Sequence, residues 1–199
     1  YQVVQSLIAV ASGGIFGSGI GLGSPGLIPV TQSDFIFAAV SEEGGLIGGL
    51  ALLLVFCLLI QRGFKIALSS GDLFRRFLAG GISAYLALQT ILIVAGNIRL
   101  LPLTGVTLPF ISYGGSSLLT ALLSVGILLR ISADETDPRQ AARLPTRPLV
   151  VISGMLFASF ALLALGCGWW AVVRNTSLTA RTDNPRRYIN DRFVLRGRI

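Results

Sequence analysis

Four long apolar stretches constrain the fold of this chain more than any other feature of its sequence. They cover residues 35–60, 77–96, 108–131 and 149–173. A helix needs about 20 apolar residues to cross the hydrocarbon core of a bilayer, where it satisfies its own backbone polar groups. Only 13% of the residues are charged, against about 25% in soluble domains. The sequence therefore predicts an all-α, polytopic transmembrane helix bundle.

Two regions are expected to depart from regular spans. Pro109 and the polar, glycine-rich residues 112–117 leave the third stretch only about 14 strongly apolar residues, so its start is expected to lie in protein or in a wet cavity. Residues 1–12 have helical periodicity, which predicts a short helix at the membrane surface. Residues 13–29 are rich in glycine and proline, which predicts a long loop that is either structured or merely flexible.

Basic residues predict the orientation of the helices. They concentrate in the connections after the first and third stretches, as Arg62, Lys65, Arg75, Arg76, Arg130, Arg139, Arg143 and Arg147. The positive-inside rule places these connections in the cytoplasm, and the glycine-rich loop and residues 97–117 outside. By parity the tail after residue 173 is also outside. Its many arginines disagree with the rule, but distal segments count less than short loops.

Composition excludes several kinds of site. The chain has no histidine, which excludes His-based triads and HExxH zinc sites. Cys57 and Cys167 lie within apolar stretches, so neither a disulfide framework nor a Cys-based zinc site is predicted. The net charge of +7 is explained by orienting loops, and no nucleic-acid binding is expected. Chemistry must therefore use carboxylates, hydroxyls, arginine or backbone dipoles.

Asp34 is the first candidate for chemistry, because it is the only acid among the first 41 residues. It stands at the predicted outer start of a spanning helix, where a general base would face water. Thr31 and Asp34 also fit a capping box, in which their side chains satisfy the first amides of the helix. Both interpretations are open from spacing alone.

Glu42 and Glu43 follow about 12 Å further along the predicted helix, too far to form a catalytic pair with Asp34. Ionisable groups inside a membrane span are costly, and they are usually functional or paired. We expect these two glutamates to be structural or paired acids.

Residues Ser112, Gly114, Gly115 and Ser116 form a candidate anion-binding site together with Arg99. A glycine- and serine-rich helix start presents free backbone amides and a positive dipole end, which favour phosphate. Close helix packing through small residues is the alternative. The predicted topology brings these residues to the same membrane face as Asp34, which suggests work on a phosphorylated lipid head group.

Three motifs resemble the SEDS (FtsW/RodA) family. They are YQxxQS with GGxFGxGxG in residues 1–21, SDFIFA with the paired glutamates in residues 33–43, and LPFISYGGSS in residues 108–117. The resemblance covers residues 1–131, the C-terminal part of a ten-helix fold. It implies a multi-pass protein of the bacterial cytoplasmic membrane, of which this part alone is expected to be inactive.

The resemblance also implies an activity, a peptidoglycan glycosyltransferase that polymerises lipid II, with Asp34 as the essential acid. Asp34 would accept a proton from the acceptor hydroxyl, while Arg99 and residues 112–117 stabilise the departing diphosphate. A divalent cation could share that task, although the sequence has no metal-ligand cluster. The alternatives are a lipid II flippase or transporter, and a non-catalytic membrane scaffold for a transpeptidase. A role in elongation, division or sporulation is left open.

The remaining residues are expected to form a cytoplasmic linker (132–148), an additional transmembrane anchor (149–173) and an extracytoplasmic segment (174–199). The sequences NPR at 184–186 and RGxI at 196–199 resemble the start of a class B penicillin-binding protein. That resemblance implies a transpeptidase partner in the same polypeptide. The fourth span as a simple anchor is the alternative.

Overall fold

The computed structural model describes residues 2–24, 33–133 and 146–179, and all regular secondary structure within them is helical. The helices are α1 (Gln2–Gly13), α2 (Ile36–Ser69), α3 (Leu73–Asn97), α4 (Gly115–Ala133), α5 (Arg147–Gly168), which continues into a π-helical turn (Trp169–Val173), and α6 (Asn175–Thr179). Helices α2 to α5 are long and apolar enough to cross a membrane. The prediction of an all-α bundle is confirmed.

Helix α2 differs from the single predicted stretch over residues 35–60. It has 34 residues and is broken at Gly45, whose φ of 66° is not helical. The side chains of Phe37 and Ser41 both lie against Gly49, although a straight helix would separate Ser41 from Gly49 by about 12 Å along its axis. The first segment of α2 is therefore folded back on the second. Hydropathy alone did not reveal the break, because residues 35–40 and 46–60 are apolar and form one predicted stretch together with residues 41–45.

Helices α2 and α3 form an antiparallel hairpin at the centre of the bundle. Gly63 of α2 lies directly against Ser83 of α3, so the two backbones approach closely at this level. Phe56, Ile60 and Phe64 of α2 are buried in the main core. Between membrane-spanning helices, close van der Waals packing of this kind, made possible by small residues such as Gly63, stabilises the arrangement.

The other two long helices pack on this hairpin to different extents. Leu156 and Phe160 of α5 belong to the main core, and Leu149 packs on Gly80 of α3. Helix α4 has only Ala121 and Leu128 buried. It begins at residue 115 rather than at 108, because residues 101–114 form turns and extended backbone, as the polar start of the third stretch suggested.

The alternation of helix directions brings four helix termini to one end of the bundle. We call this the Asp34 end; it comprises the start of α2, the end of α3, the start of α4 and the end of α5. The turn between α2 and α3, residues 70–72, lies at the opposite end, which we call the Asp72 end.

Candidate functional site

Asp34 lies in a turn that directly precedes α2. Phe35, the N-cap residue of that helix, is fully buried against Ala9 and Val10 of α1. Its burial fixes the turn and leaves Asp34 partly exposed. Among the residues that the structure describes, none donates a hydrogen bond to the Asp34 carboxylate.

The capping-box interpretation of Asp34 is wrong. Helix α2 begins at Ile36 and has no side-chain cap, so Asp34 precedes the N-cap, whereas a capping box needs its acid at the third helical position. Thr31 lies outside the described residues. The first turn of α2 gains its stability from the buried Phe35 rather than from a local polar cap.

Two side chains from distant elements hold the backbone around Asp34. The Asn97 Nδ2 atom donates to the Asp34 carbonyl oxygen at 2.8 Å, and the Ser112 hydroxyl donates to the Ser33 carbonyl oxygen at 2.6 Å. The same Ser112 oxygen accepts from the Leu108 amide at 2.8 Å. The turn is therefore tied both to the end of α3 and to the segment that leads into α4.

Ser112 was predicted to bind substrate, but it is 8% exposed and engaged in these two bonds. Asn97 was not predicted at all. It ends an apolar helix and belongs to no recognisable motif. In the sequence, only its polarity at the end of an apolar stretch distinguishes it.

The start of α4 lies beside the Asp34 turn. A cavity of about 600 Å³ opens there, lined by Ile36, Phe110, Ile111, Ser112, Tyr113, Gly114, Gly115 and Leu118. Gly115 and Ser116 are exposed at the first two helical positions, where backbone amides lack intrahelical partners. The structure thus brings Ile36, two residues after Asp34, and the predicted anion-binding segment to the same cavity.

Arg99 lies two residues beyond α3, at the Asp34 end. Its φ is 60°, and its main-chain amide donates a hydrogen bond to the Gly96 carbonyl oxygen, so the chain makes a tight turn after the helix. The side chain is exposed, and it forms no hydrogen bond or ion pair with any described residue. Arg99 therefore lies at the same end of the bundle as Asp34 and the start of α4.

Glu42 and Glu43 lie at the break in α2, where the glycine-rich loop docks. The Glu42 carboxylate accepts from the Ser24 amide at 3.0 Å, and its carbonyl oxygen accepts from both the amide and the hydroxyl of Ser18. The Gly19 amide donates to the Glu43 carbonyl oxygen. Glu42 is 3% exposed, so its role in the structure is to hold the loop.

The loop and the break in α2 complement each other. Beyond Gly45, the amides of Leu46 and Ile47 donate to the carbonyl oxygens of Gly14 and Ile15. The loop therefore satisfies backbone groups that the break leaves without helical partners. The described part of the loop, residues 14–24, is a docked element rather than a flexible tether.

Within residues 2–24, 33–133 and 146–179, no group of three or more histidine, cysteine or acidic side chains could hold a metal ion.

Comparison with known proteins identifies the chain. The family model of the FtsW/RodA/SpoVE cell cycle proteins matches residues 1–137. The chain belongs to this family. With its four helices capable of spanning a membrane, it is a multi-pass protein of the bacterial inner membrane.

Curated relatives carry related names. The chain is 47% identical over 148 residues to the peptidoglycan glycosyltransferase RodA of Mycobacterium tuberculosis H37Rv, which is 74% of this chain and 30% of that protein. It is 48% identical over 134 residues to the stage V sporulation protein E of Bacillus subtilis, 66% of this chain and 37% of that protein. It is 43% identical over 152 residues to a probable peptidoglycan glycosyltransferase FtsW of Thioalkalivibrio, 74% and 38% respectively. The chain spans about a third of the length of these relatives.

Proposed function

We propose that the full-length protein containing this chain is a peptidoglycan glycosyltransferase that polymerises lipid II at the outer face of the membrane. The names of the relatives support the reaction class. The observation that supports the site is that Ile36, two residues after Asp34, lines a cavity together with the start of α4. An acid beside a cavity with free backbone amides suits the transfer of a glycan chain from its diphosphate carrier.

In the proposed reaction, the Asp34 carboxylate accepts the proton of the 4-hydroxyl of the incoming lipid-linked disaccharide. The hydroxyl oxygen attacks the anomeric carbon of the growing glycan, a new glycosidic bond forms with inversion, and the bond to the undecaprenyl diphosphate breaks. General base catalysis of this kind contributes about 10²- to 10⁴-fold to the rate. The departing diphosphate carries away the bonding electron pair as negative charge.

Stabilisation of that diphosphate is assigned to the start of α4 and to Arg99. Gly115 and Ser116 would present their backbone amides at the positive end of the helix dipole, and Gly114 permits close approach. Arg99 is exposed and free of described partners, so its guanidinium could turn toward the diphosphate. Ser112 supports the site by its hydrogen bonds to the backbone rather than by binding the substrate.

The test is polymerisation of purified lipid II by the full-length protein in detergent, with glycan chains separated by gel electrophoresis. We expect the wild type to form chains and Asp34→Asn to form none, while both proteins stay monodisperse and unfold at similar temperatures. Polymerisation retained by Asp34→Asn would reject the assignment of the base. Movement of lipid II across vesicles without any polymer would instead support a flippase.

We further propose that residues 149–173 anchor a class B penicillin-binding module that follows them, with residues 132–148 as a cytoplasmic linker. The signature sequences at 184–186 and 196–199 support this proposal and lie outside the described residues. The full-length protein should then bind a fluorescent penicillin covalently and specifically. Failure to bind it would leave the fourth span as an anchor alone.

A further inference from the structure

Asn97 is a fully enclosed polar side chain at the Asp34 end. It is the last residue of α3 and has no solvent exposure. Its Nδ2 atom donates two hydrogen bonds, one within its own helix to the Ile93 carbonyl oxygen and one across the fold to the Asp34 carbonyl oxygen, each at 2.8 Å. The main-chain carbonyl oxygen of Asn97 accepts a hydrogen bond from the Ser6 hydroxyl of α1 at 2.9 Å.

The orientation of this side chain follows from its partners. Both groups that face Nδ2 are carbonyl oxygens, so only the amide nitrogen can satisfy them, and Oδ1 must point the other way. There Oδ1 has no hydrogen-bond partner among the described residues. A buried acceptor without a partner is destabilising. The two hydrogen bonds that Nδ2 donates offset this cost and hold the side chain in place.

We propose that Asn97 is a positioning residue, which fixes the main chain of Asp34 and thereby aims its carboxylate at the cavity beside α4. Asn97 itself does not touch substrate. The Ser112 bond to the neighbouring Ser33 carbonyl oxygen restrains the same turn from the other side. Two adjacent carbonyl groups are thus held by two elements, and the buried Phe35 fixes the residue that follows, so the main chain that carries the Asp34 side chain is restrained on both sides.

This inference rests on the proposed function, because it requires Asp34 to act as the base. A displacement of a catalytic group by about 1 Å can reduce a rate 10²-fold. Loss of the positioning bond should therefore lower kcat while leaving KM nearly unchanged, since substrate contacts are not altered.

The chain offers a substitution that separates the two bonds of Asn97. Ser83 and Thr90 of the same helix each donate to the carbonyl oxygen four residues earlier. A serine at position 97 is expected to do the same with Ile93, but it is too short to reach Asp34. Asn97→Ser thus keeps the local bond and removes the long-range one.

Thr90→Val is the matched control. It removes a buried, purely local hydrogen bond two turns earlier on α3 and touches nothing at the Asp34 end. Both variants are made in the full-length protein, and the kinetics of lipid II polymerisation are measured per folded, monodisperse protein.

We expect Asn97→Ser to lower kcat by about ten- to a hundredfold with KM within twofold of the wild type, and Thr90→Val to change neither value. Equal losses in both variants would show a structural role only and would overturn the proposal, as would a raised KM with unchanged kcat. If Asn97→Ser cannot be purified folded, Ser112→Ala tests the same restraint from the other side, and an unchanged kcat there also overturns it. An inactive wild type would reject the proposed function instead.

Discussion

The two ends of the bundle are held together in different ways. At the Asp34 end, the hydrogen bonds of side chains to backbone join residues that are far apart in the sequence. Asn97 and Asp34 are 63 residues apart, Ser112 and Ser33 are 79 apart, and Trp170 and Ile98 are 72 apart.

At the Asp72 end, the side-chain hydrogen bonds that join two described residues are local. Asp72 caps α3 through the amide of Arg75, three residues later. The guanidinium of Arg76 donates to the carbonyl oxygens of Ser70 and Leu68, six and eight residues earlier. These bonds can form as soon as the turn between α2 and α3 forms.

The comparison shows which end of the bundle is formed by local sequence and which end requires the whole fold. A local turn depends on a few neighbouring residues, whereas the Asp34 end exists only when α1, α3, the segment before α4 and the end of α5 are all in place. Substitutions that break the long-range bonds of the Asp34 end should therefore affect activity and stability together, and those that break the local bonds of the Asp72 end should affect stability alone.

The largest effect is expected at the break in α2. Gly45 has a φ of 66°, and a side chain there would meet the backbone of Ile15 and Gly17. Gly45→Ala should lower the free energy of unfolding by about 2 kcal/mol or more, through left-handed strain and the close contact. It should also reduce polymerisation, because the loop can no longer dock.

Gly44→Ala is the control for that prediction. No atom lies within 4 Å of a Cβ at Gly44, so the substitution should be neutral or stabilise by up to about 1 kcal/mol, as Gly to Ala does in helices. Thermal unfolding of both variants in detergent measures the difference. Equal stability of the two would contradict the broken geometry of α2.

A smaller effect is expected where α5 meets α3. The Trp170 Nε1 atom donates to the Ile98 carbonyl oxygen at 3.0 Å, next to Asn97. Trp170→Phe keeps an aromatic ring but loses this bond, which should lower the free energy of unfolding by about 1 kcal/mol. Trp169→Phe, at a neighbouring exposed position, should change it by less than about 0.5 kcal/mol. If both changes have the same effect, α5 is not anchored through Trp170.

The sequence was sufficient for the parts of the fold that depend on hydropathy. The four apolar stretches became the four long helices, and the irregular start of the third was expected from Pro109 and the polar residues after it. The family assignment followed from the motifs around Asp34 and Ser112.

The sequence was insufficient where tertiary contacts override local patterns. Thr31 and Asp34 matched a capping box, but the burial of Phe35 moved the start of α2 to Ile36. Neither the break at Gly45 nor the role of Asn97 has a local signature, because each depends on a segment brought in from elsewhere: the glycine-rich loop for Gly45 and the Asp34 turn for Asn97.

The most direct test of the account compares the same substitution at the two ends. Asp34→Asn and Asp72→Asn each remove one negative charge from an aspartate that precedes a helix, and asparagine keeps the capping ability of Asp72. We expect the full-length Asp34→Asn protein to form no glycan chains from lipid II, and Asp72→Asn to polymerise at the wild-type rate. Loss of polymerisation in both variants, or in neither, would contradict the assignment of the chemistry to the Asp34 end.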